Sequence, residues 1–309
     1  MKGCDMTYSS LTKVIGGVGL ASLMAFSALA DHWNVERMNA DVDSYNFKVG
    51  NGCSGSLISL QSRLILTNHH CIESYVRVVN RERVIDGTVQ EVRVEELRDV
   101  IVSQESYAGH RQVGSAAWQS VIVARWKGSD LALLQIRADS IPHTRFAQVF
   151  GGDTVYRGET IYVVGNPSGL TASIHKGIVS SVQRMFRFSW TNEDTPFIQI
   201  DAGVSGGNSG GSLMNEHGEL IGIPAAGIRN QGQLGLAIPF FQIQKFLTDN
   251  CYEEVWNLAD DVVNHADCMT AKDEEAEADE RASVSGATIS ATTLDGKNDP
   301  NKEVYYDLF

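Results

Sequence analysis

Basic residues are scarce. The 309-residue chain carries 25 Lys and Arg against 38 Asp and Glu, a net charge of −13. A chain of that sign repels a phosphate backbone, which argues against a nucleic-acid partner and leaves peptides, proteins or small molecules. Helical periodicity is scarce too between about residues 47 and 240, which excludes alternating βαβ units there. Metal-ligand spacings are missing: neither HExxH nor CxxC occurs. Adjacent histidines, His69 and His70, would point to opposite faces of a strand and so would not share one metal. No metal and no cofactor is expected. No internal repeat is evident. After residue 30, no apolar run is long enough to cross a bilayer.

The one long uncharged run lies near the start. Val14 to Leu29 carries no charge, Lys2 and Lys13 precede it with Asp5, and Ala28-Leu29-Ala30 is a small-x-small cleavage site. This reads as a secretory signal over residues 1–30, with a mature chain from Asp31, exported to the periplasm or secreted. An uncleaved anchor is the alternative. Export makes disulfides plausible. Beyond the signal stand Cys53, Cys71, Cys251 and Cys268. Four cysteines allow three pairings. Pairing nearest neighbours, Cys53 with Cys71 and Cys251 with Cys268, is the expectation.

What fills the middle of the chain is strands. "SGSLISL", "RLILTN", "YVRVVN", "LALLQI", "TIYVVG", "FIQIDAG" and "ELIGIPAAG" are short apolar or alternating runs bounded by Gly, Asn, Asp and Ser. Regular spacing predicts barrels or sandwiches. Residues 137–148, with Pro142, divide an N-terminal half (31–145) from a C-terminal half (146–240). "FFQIQKFLTDNCYEEVWNLADDVV" then has helical spacing, which places a C-terminal helix in 241–270. From Ala271 the chain turns polar. Residues 271–309 hold ten acids against four basics, and read as a disordered tail.

Two stretches carry chemistry. "LTNHHCIES" (66–74) offers imidazoles that act as a base, a metal ligand or a core group. "GVSGGNSGGSL" (203–213) sets Ser209 among glycines. Glycines permit tight turns with positive φ and let a carbonyl approach the main chain. The N–H groups of Gly207 and Ser209 can then meet a developing oxyanion. A serine hydroxyl needs a base, and imidazole suits that task near neutral pH. The base needs a carboxylate to hold its tautomer. Asp130, heading the apolar run "LALLQI", is the candidate; Asp99 is its rival. Asp201 reads as structural, and His175 as a hairpin residue.

Together, "CSGSLISLQSRLILTNHHC", "SDLALL" and "GNSGGSL" resemble the trypsin-like serine peptidases. The second half, "RGETIYVVGNPSGLTASIHKGIVSSVQR" onward, is similar to the HtrA/Deg branch. The resemblance covers about residues 48–247 and implies an all-β, chymotrypsin-like double β-barrel with a C-terminal helix. The family order His, Asp, Ser implies His70, Asp130 and Ser209 as the triad, because the family's histidine directly precedes the cysteine. It implies the Cys53–Cys71 bridge, peptide or protein substrates, and a serine endopeptidase.

The departures matter. Asn208 stands where the digestive and clotting enzymes have an Asp that pairs with a new N-terminus, so activation by that route is not expected. No PDZ domain is expected after the peptidase body. The motif places the primary pocket at Gly203, Val204, Ile223, Ala225, Ala226, Leu234 and Leu236, with no carboxylate at its base. An aliphatic side chain is therefore expected at the cleaved residue. The alternatives are an inactive or latent peptidase-fold binding protein and a short exopeptidase similar to the dipeptidyl-peptidases. An esterase is a further rival, disfavoured by the lack of strand–helix alternation.

Overall fold

A computed structural model describes residues 33–274, apart from 86–87, 109–110, 192, 229–233, 258 and 260–261. The signal read in residues 1–30 lies outside the described residues. So does the acidic tail from residue 275 onward. Among the described residues, no helix is long and apolar enough to cross a membrane.

The described residues open on a helix that strand patterning did not reveal. Helix α1 (Val35–Tyr45) is capped by Asn34, whose side chain accepts the Arg37 N–H. Met38, Val42 and Tyr45 recur at intervals of four and three and are its buried residues. That stripe seats the helix on the body. The N-terminal segment of the first half is thus helical, because an eleven-residue stretch of mostly polar residues hides one apolar stripe.

Two rings of strands follow. The first is a closed barrel in the order β1 (Asn46–Val49), β2 (Cys53–Ser59), β3 (Leu64–Asn68), β8 (Leu131–Ile136), β7 (Arg111–Trp126) and β6 (Val100–Ala108). β1 closes on β6 with Val49 opposite Val102. A hairpin of β4 (Val76–Ile85) and β5 (Thr88–Leu97) stands apart as a separate two-stranded sheet. Phe47, Leu57, Leu64, Leu66, Leu131 and Leu133 are fully buried in the first ring. β8 is buried along nearly all its length, which explains why its sequence is continuous in apolar residues instead of alternating.

The second ring runs β13 (Ser212–Asn215), β10 (Thr160–Gly165), β11 (Ser173–Arg187), β12 (Asp194–Ile200), β15 (Gly235–Pro239) and β14 (Glu219–Gly227). The β13–β14 pairing returns that order to its start. The short β9 (Gln148–Val149) adds to β14 in parallel. Residues 137–147 between the rings contain no strand, and β9 begins at Gln148, the last residue of the expected link. The fold is the all-β, chymotrypsin-like class.

The C-terminal helix is shorter than its periodicity implied. Helix α2 spans Phe240–Asp249 and buries Phe240, Ile243, Phe246 and Leu247. It stops at Asn250, and Cys251 takes a positive φ of 62°. Residues 265–274 are helical again, so residues 271–274 belong to a helix and not to the polar tail. Cys251 and Cys268 are bridged with Cα atoms 5.6 Å apart, tying this last segment to the end of α2.

Candidate active site

The site is built where the rings meet. β7 ends at Trp126, and a turn leads to Asp130 at the head of β8. Asp130 has φ of 53°. Few side chains accept that region, but Asp is among them. Its N–H closes the turn onto the Lys127 carbonyl at 3.1 Å. Its side chain has no exposure at all.

A buried carboxylate must be met by donors. Oδ1 accepts the His70 backbone N–H at 2.9 Å, and Oδ2 faces His70 Nδ1 at 2.8 Å. Trp190 Nε1 donates to Oδ2 at 3.2 Å. The Asp130 carbonyl in turn accepts from His69 N–H and Asn68 Nδ2, each at 3.0 Å. An ionised carboxylate only accepts, so Nδ1 of His70 carries the proton and Nε2 keeps a lone pair. The His70 side chain is 26% exposed, so the ring reaches solvent.

The two histidines are not on a strand. β3 ends at Asn68, and His69 and His70 occupy the turn beyond it. His69 is buried, and burial pushes its imidazole below the ordinary range, so it stays neutral. The bridge between Cys53 and Cys71, Cα atoms 5.9 Å apart, pins the same turn to β2. Ligand-type atoms of Cys53, His70 and Cys71 lie within 4.8 Å of one another, but the sulfurs are joined to each other. Asp99, the rival carboxylate, pairs with Arg137 at 3.1 Å instead of with His70. Asp201 Oδ1 accepts the Ile178 N–H at 2.6 Å, a structural bond. His175, on β11 opposite Val163, is half-buried.

Ser209 sits on the loop between β12 and β13. Gly207 has φ of 103° and Gly210 of 82°. A Cβ on Gly207 would lie 2.3 Å from the Asn166 carbonyl oxygen, and one on Gly210 would lie 2.2 Å from Thr67 Oγ1. Both conformation and space therefore require glycine. Among the described residues, the N–H groups of Gly207 and Ser209 donate to no protein acceptor. The Ser209 hydroxyl donates to the Ala225 carbonyl at 3.3 Å, and it makes no hydrogen bond to His70. Asn208 is fully buried, with its amide 3.5 Å from the Gly203 carbonyl. A neutral side chain in that place needs no ammonium partner, which fits the absence of the family's acid.

Three positioning contacts were not read from the sequence. Ser54, buried on β2, donates to the Gly207 carbonyl at 2.6 Å, and its N–H reaches the Ser209 carbonyl at 2.8 Å. Asn166 donates its backbone N–H to Ser54 Oγ at 2.8 Å and its amide at 3.0 Å. Trp190 completes the set around Asp130. Ser54 adjoins Cys53 in "CSGS", and Asn166 lies in "GNPSG", but neither pattern announces a partner more than 100 residues away.

The residues expected in the primary pocket divide. Ile223 and Leu236 have no exposure and belong to the core. This corrects their placement as pocket walls, because both strands turn those side chains inward. Val204 is also nearly buried, its Cγ2 packed against Gly235. A Cβ on Gly203 would meet nothing within 4 Å, so open space lies beside it. Ala225 and Ala226 are buried in the same core cluster as Ile223 and Leu236, and Leu234 is half-buried.

A double ring of strands with a buried Asp–His pair at the seam and a serine on a glycine loop defines the trypsin-like class. Residues 53–223 match the trypsin-like peptidase domain, and the chain belongs to that family. It is 28% identical over 195 residues to "Serine protease HTRA2, mitochondrial" of Drosophila willistoni, covering 63% of this chain and 37% of that protein. It is 34% identical over 122 residues to "Probable periplasmic serine endoprotease DegP-like" of Chlamydia trachomatis, covering 38% and 24%. It is 37% identical over 113 residues to "Putative serine protease HhoB" of Synechocystis, covering 36% and 26%. The matches thus span only 24–37% of the length of these relatives. The MamO protease domain from Magnetospirillum magneticum shares the fold, with a TM-score of 0.50 at 21% identity over 66% of this chain and 96% of that one.

Proposed function

We propose that the protein is an exported serine endopeptidase that hydrolyses peptide bonds through Ser209, His70 and Asp130. The observation that carries this reading is the 2.8 Å contact between His70 Nδ1 and a fully buried Asp130. It turns Nδ1 to the carboxylate and leaves Nε2 free to accept a proton at a solvent-reaching edge. The hydroxyl of Ser209 leaves Ala225, gives its proton to Nε2 and attacks the substrate carbonyl. Charge develops on the carbonyl oxygen, where the N–H groups of Gly207 and Ser209 receive it. Asp130 stabilises the imidazolium formed in that step, and the imidazolium then protonates the leaving amine. Water repeats the sequence on the acyl-enzyme.

Open space at Gly203 suits an aliphatic side chain at the cleaved residue. The two disulfides and the signal-like N-terminus support export to the periplasm or beyond. The similarity to serine proteases supports peptide or protein substrates.

The latent reading draws on one observation, the Ser209–Ala225 bond, which holds the nucleophile away from its base. Fluorophosphonate labelling of the mature protein, beside Ser209→Ala and His70→Ala, separates the two. An adduct on Ser209 that disappears in both variants is expected. A folded, disulfide-intact protein that neither labels nor cleaves casein overturns the peptidase reading in favour of a scaffold.

A further inference from the structure

Asp130 belongs to the first ring, yet its third donor comes from the second. The turn between β11 and β12 brings Trp190 Nε1 to Asp130 Oδ2 at 3.2 Å. The same segment, running into the start of β12, grips the backbone that precedes Asp130. Thr195 Oγ1 donates to the Gly128 carbonyl at 2.7 Å. A Cβ on Gly128 would overlap the Glu193 carboxylate, at 1.7 Å from Oε1, so that side chain lies directly over the glycine.

The turn is itself well built. Thr191, buried, accepts from the Phe188 N–H and donates to the carbonyls of Phe188 and Glu193. Phe188 stacks on Trp190 with centroids 4.6 Å apart and planes 3° from parallel, and it meets Phe197 edge-on at 5.3 Å. The indole also lies 5.7 Å from the His70 ring. A ring held on one face by Phe188 has little freedom, so its N–H stays aimed at the carboxylate.

We propose that Trp190 is a positioning residue for Asp130. The indole N–H fixes the rotation of the carboxylate and takes up part of its charge, so that closing the second ring on the first sets the Asp130–His70 geometry. Asp130 in a left-handed turn has no regular secondary structure to hold it. The β11–β12 turn supplies that restraint from across the seam. This role rests on the peptidase reading above for its kinetic consequence, though not for its structural one.

Trp190→Phe keeps an aromatic ring on Phe188 and removes the donor. Loss of a hydrogen bond to a charged group is expected to lower kcat about tenfold with KM nearly unchanged. With less of its charge taken up, Asp130 holds a protonated His70 more firmly, so the acid limb of the pH–rate profile moves to higher pH. The other charged groups nearby are Glu73, Arg125 and Lys127, which act on His69 beside His70, and Glu193 over Gly128; all are unaltered in the variant. The downfield proton resonance of the His70–Asp130 bridge should shift as well, and that measurement needs no turnover.

A Trp190→Phe protein with wild-type kcat, pH profile and bridge resonance overturns the proposal. So does a change confined to melting temperature, which would make Trp190 a packing residue. Should Trp190→Phe not fold, Thr195→Val loosens the same turn, and the same three readouts apply with a smaller shift in the same direction. A folded wild-type protein that neither labels with fluorophosphonate nor cleaves casein sinks the peptidase reading, while the bridge resonance still decides the role of Trp190.

Discussion

The hydroxyl of Ser54 donates to the carbonyl of Gly207 at 2.6 Å, joining the disulfide-anchored strand of the first ring to the glycine loop of the second. That carbonyl is the far side of the Gly207–Asn208 peptide, so holding it sets the orientation of the segment that presents Ser209. Ser54→Ala would leave the carbonyl and the Asn166 amide short of a buried partner. A loss of about 1–3 kcal/mol in stability is expected, together with a fall in kcat. Denaturant melts and steady-state kinetics check both, and unchanged values in each would make the bond incidental.

Asp130→Asn keeps the shape of the side chain but presents an amide donor to Nδ1 of His70 or loses the anion. Either way the tautomer with a free Nε2 is no longer favoured. The rate at neutral pH should fall by roughly 10³–10⁴-fold with the protein still folded. Asp99→Asn, at the Arg137 ion pair, should leave the rate untouched. A large rate loss at Asp99 would transfer the orienting role.

Gly207→Ala meets both obstacles at once, a φ of 103° and a Cβ 2.3 Å from the Asn166 oxygen. The loop must shift, and with it an N–H of the oxyanion site. A fall of roughly 10²–10³-fold in kcat is expected, in line with losing one such donor. Full activity in a folded Gly207→Ala protein would exclude Gly207 from that role.

The disulfides should separate by function. Cys53–Cys71 holds the His70 turn, whereas Cys251–Cys268 holds the segment after α2. Serine replacement of either pair should lower stability by about 3 kcal/mol, the usual effect of opening a short loop. Only the first replacement should also lower kcat. Equal kinetics in the two double variants would show that the His70 turn is held without its bridge.

Acid should destabilise the protein through His69 and His143, whose imidazoles burial pushes below the ordinary range. The unfolded chain then binds protons near pH ~6.5 that the folded one refuses. The resulting stability is complete above that pH and is lost as pH falls toward and through the lowered folded values, by at most about 1.4 kcal/mol per pH unit for each group. A His69→Gln, His143→Gln protein should show a shallower fall in melting temperature between pH 7 and 5. The same slope in that variant would assign acid lability to carboxylates.

Much of the site was legible because its local demands are strict. A serine loop that needs positive φ must be written with glycine, so "GGNSGG" is conspicuous. Asp130 stands out as an acid before an unbroken apolar strand, whereas His70 was set over His69 only by the resemblance, in which the histidine precedes the cysteine. The helix α1 was missed because its stripe is narrow and its remaining residues polar. The C-terminal helix was overdrawn because apolar spacing continues past Asn250, where Cys251 instead turns left-handed toward its bridge. Ile223 and Leu236 were placed in the pocket because a motif gives position along a strand but not the face that closure of the ring turns inward.

The sequence by itself determined the strands, the class of fold and the residue types of the Ser, His and Asp constellation. Alternation, turn chemistry and glycine spacing are local, and a chain read in order displays them. Which carboxylate met His70, and what held that carboxylate, was decided only in three dimensions. Ser54 and Gly207 are 153 residues apart, and Trp190 and Asp130 are 60 apart. Bonds across the seam arise when two closed rings pack, and nothing in the neighbourhood of either partner encodes the other.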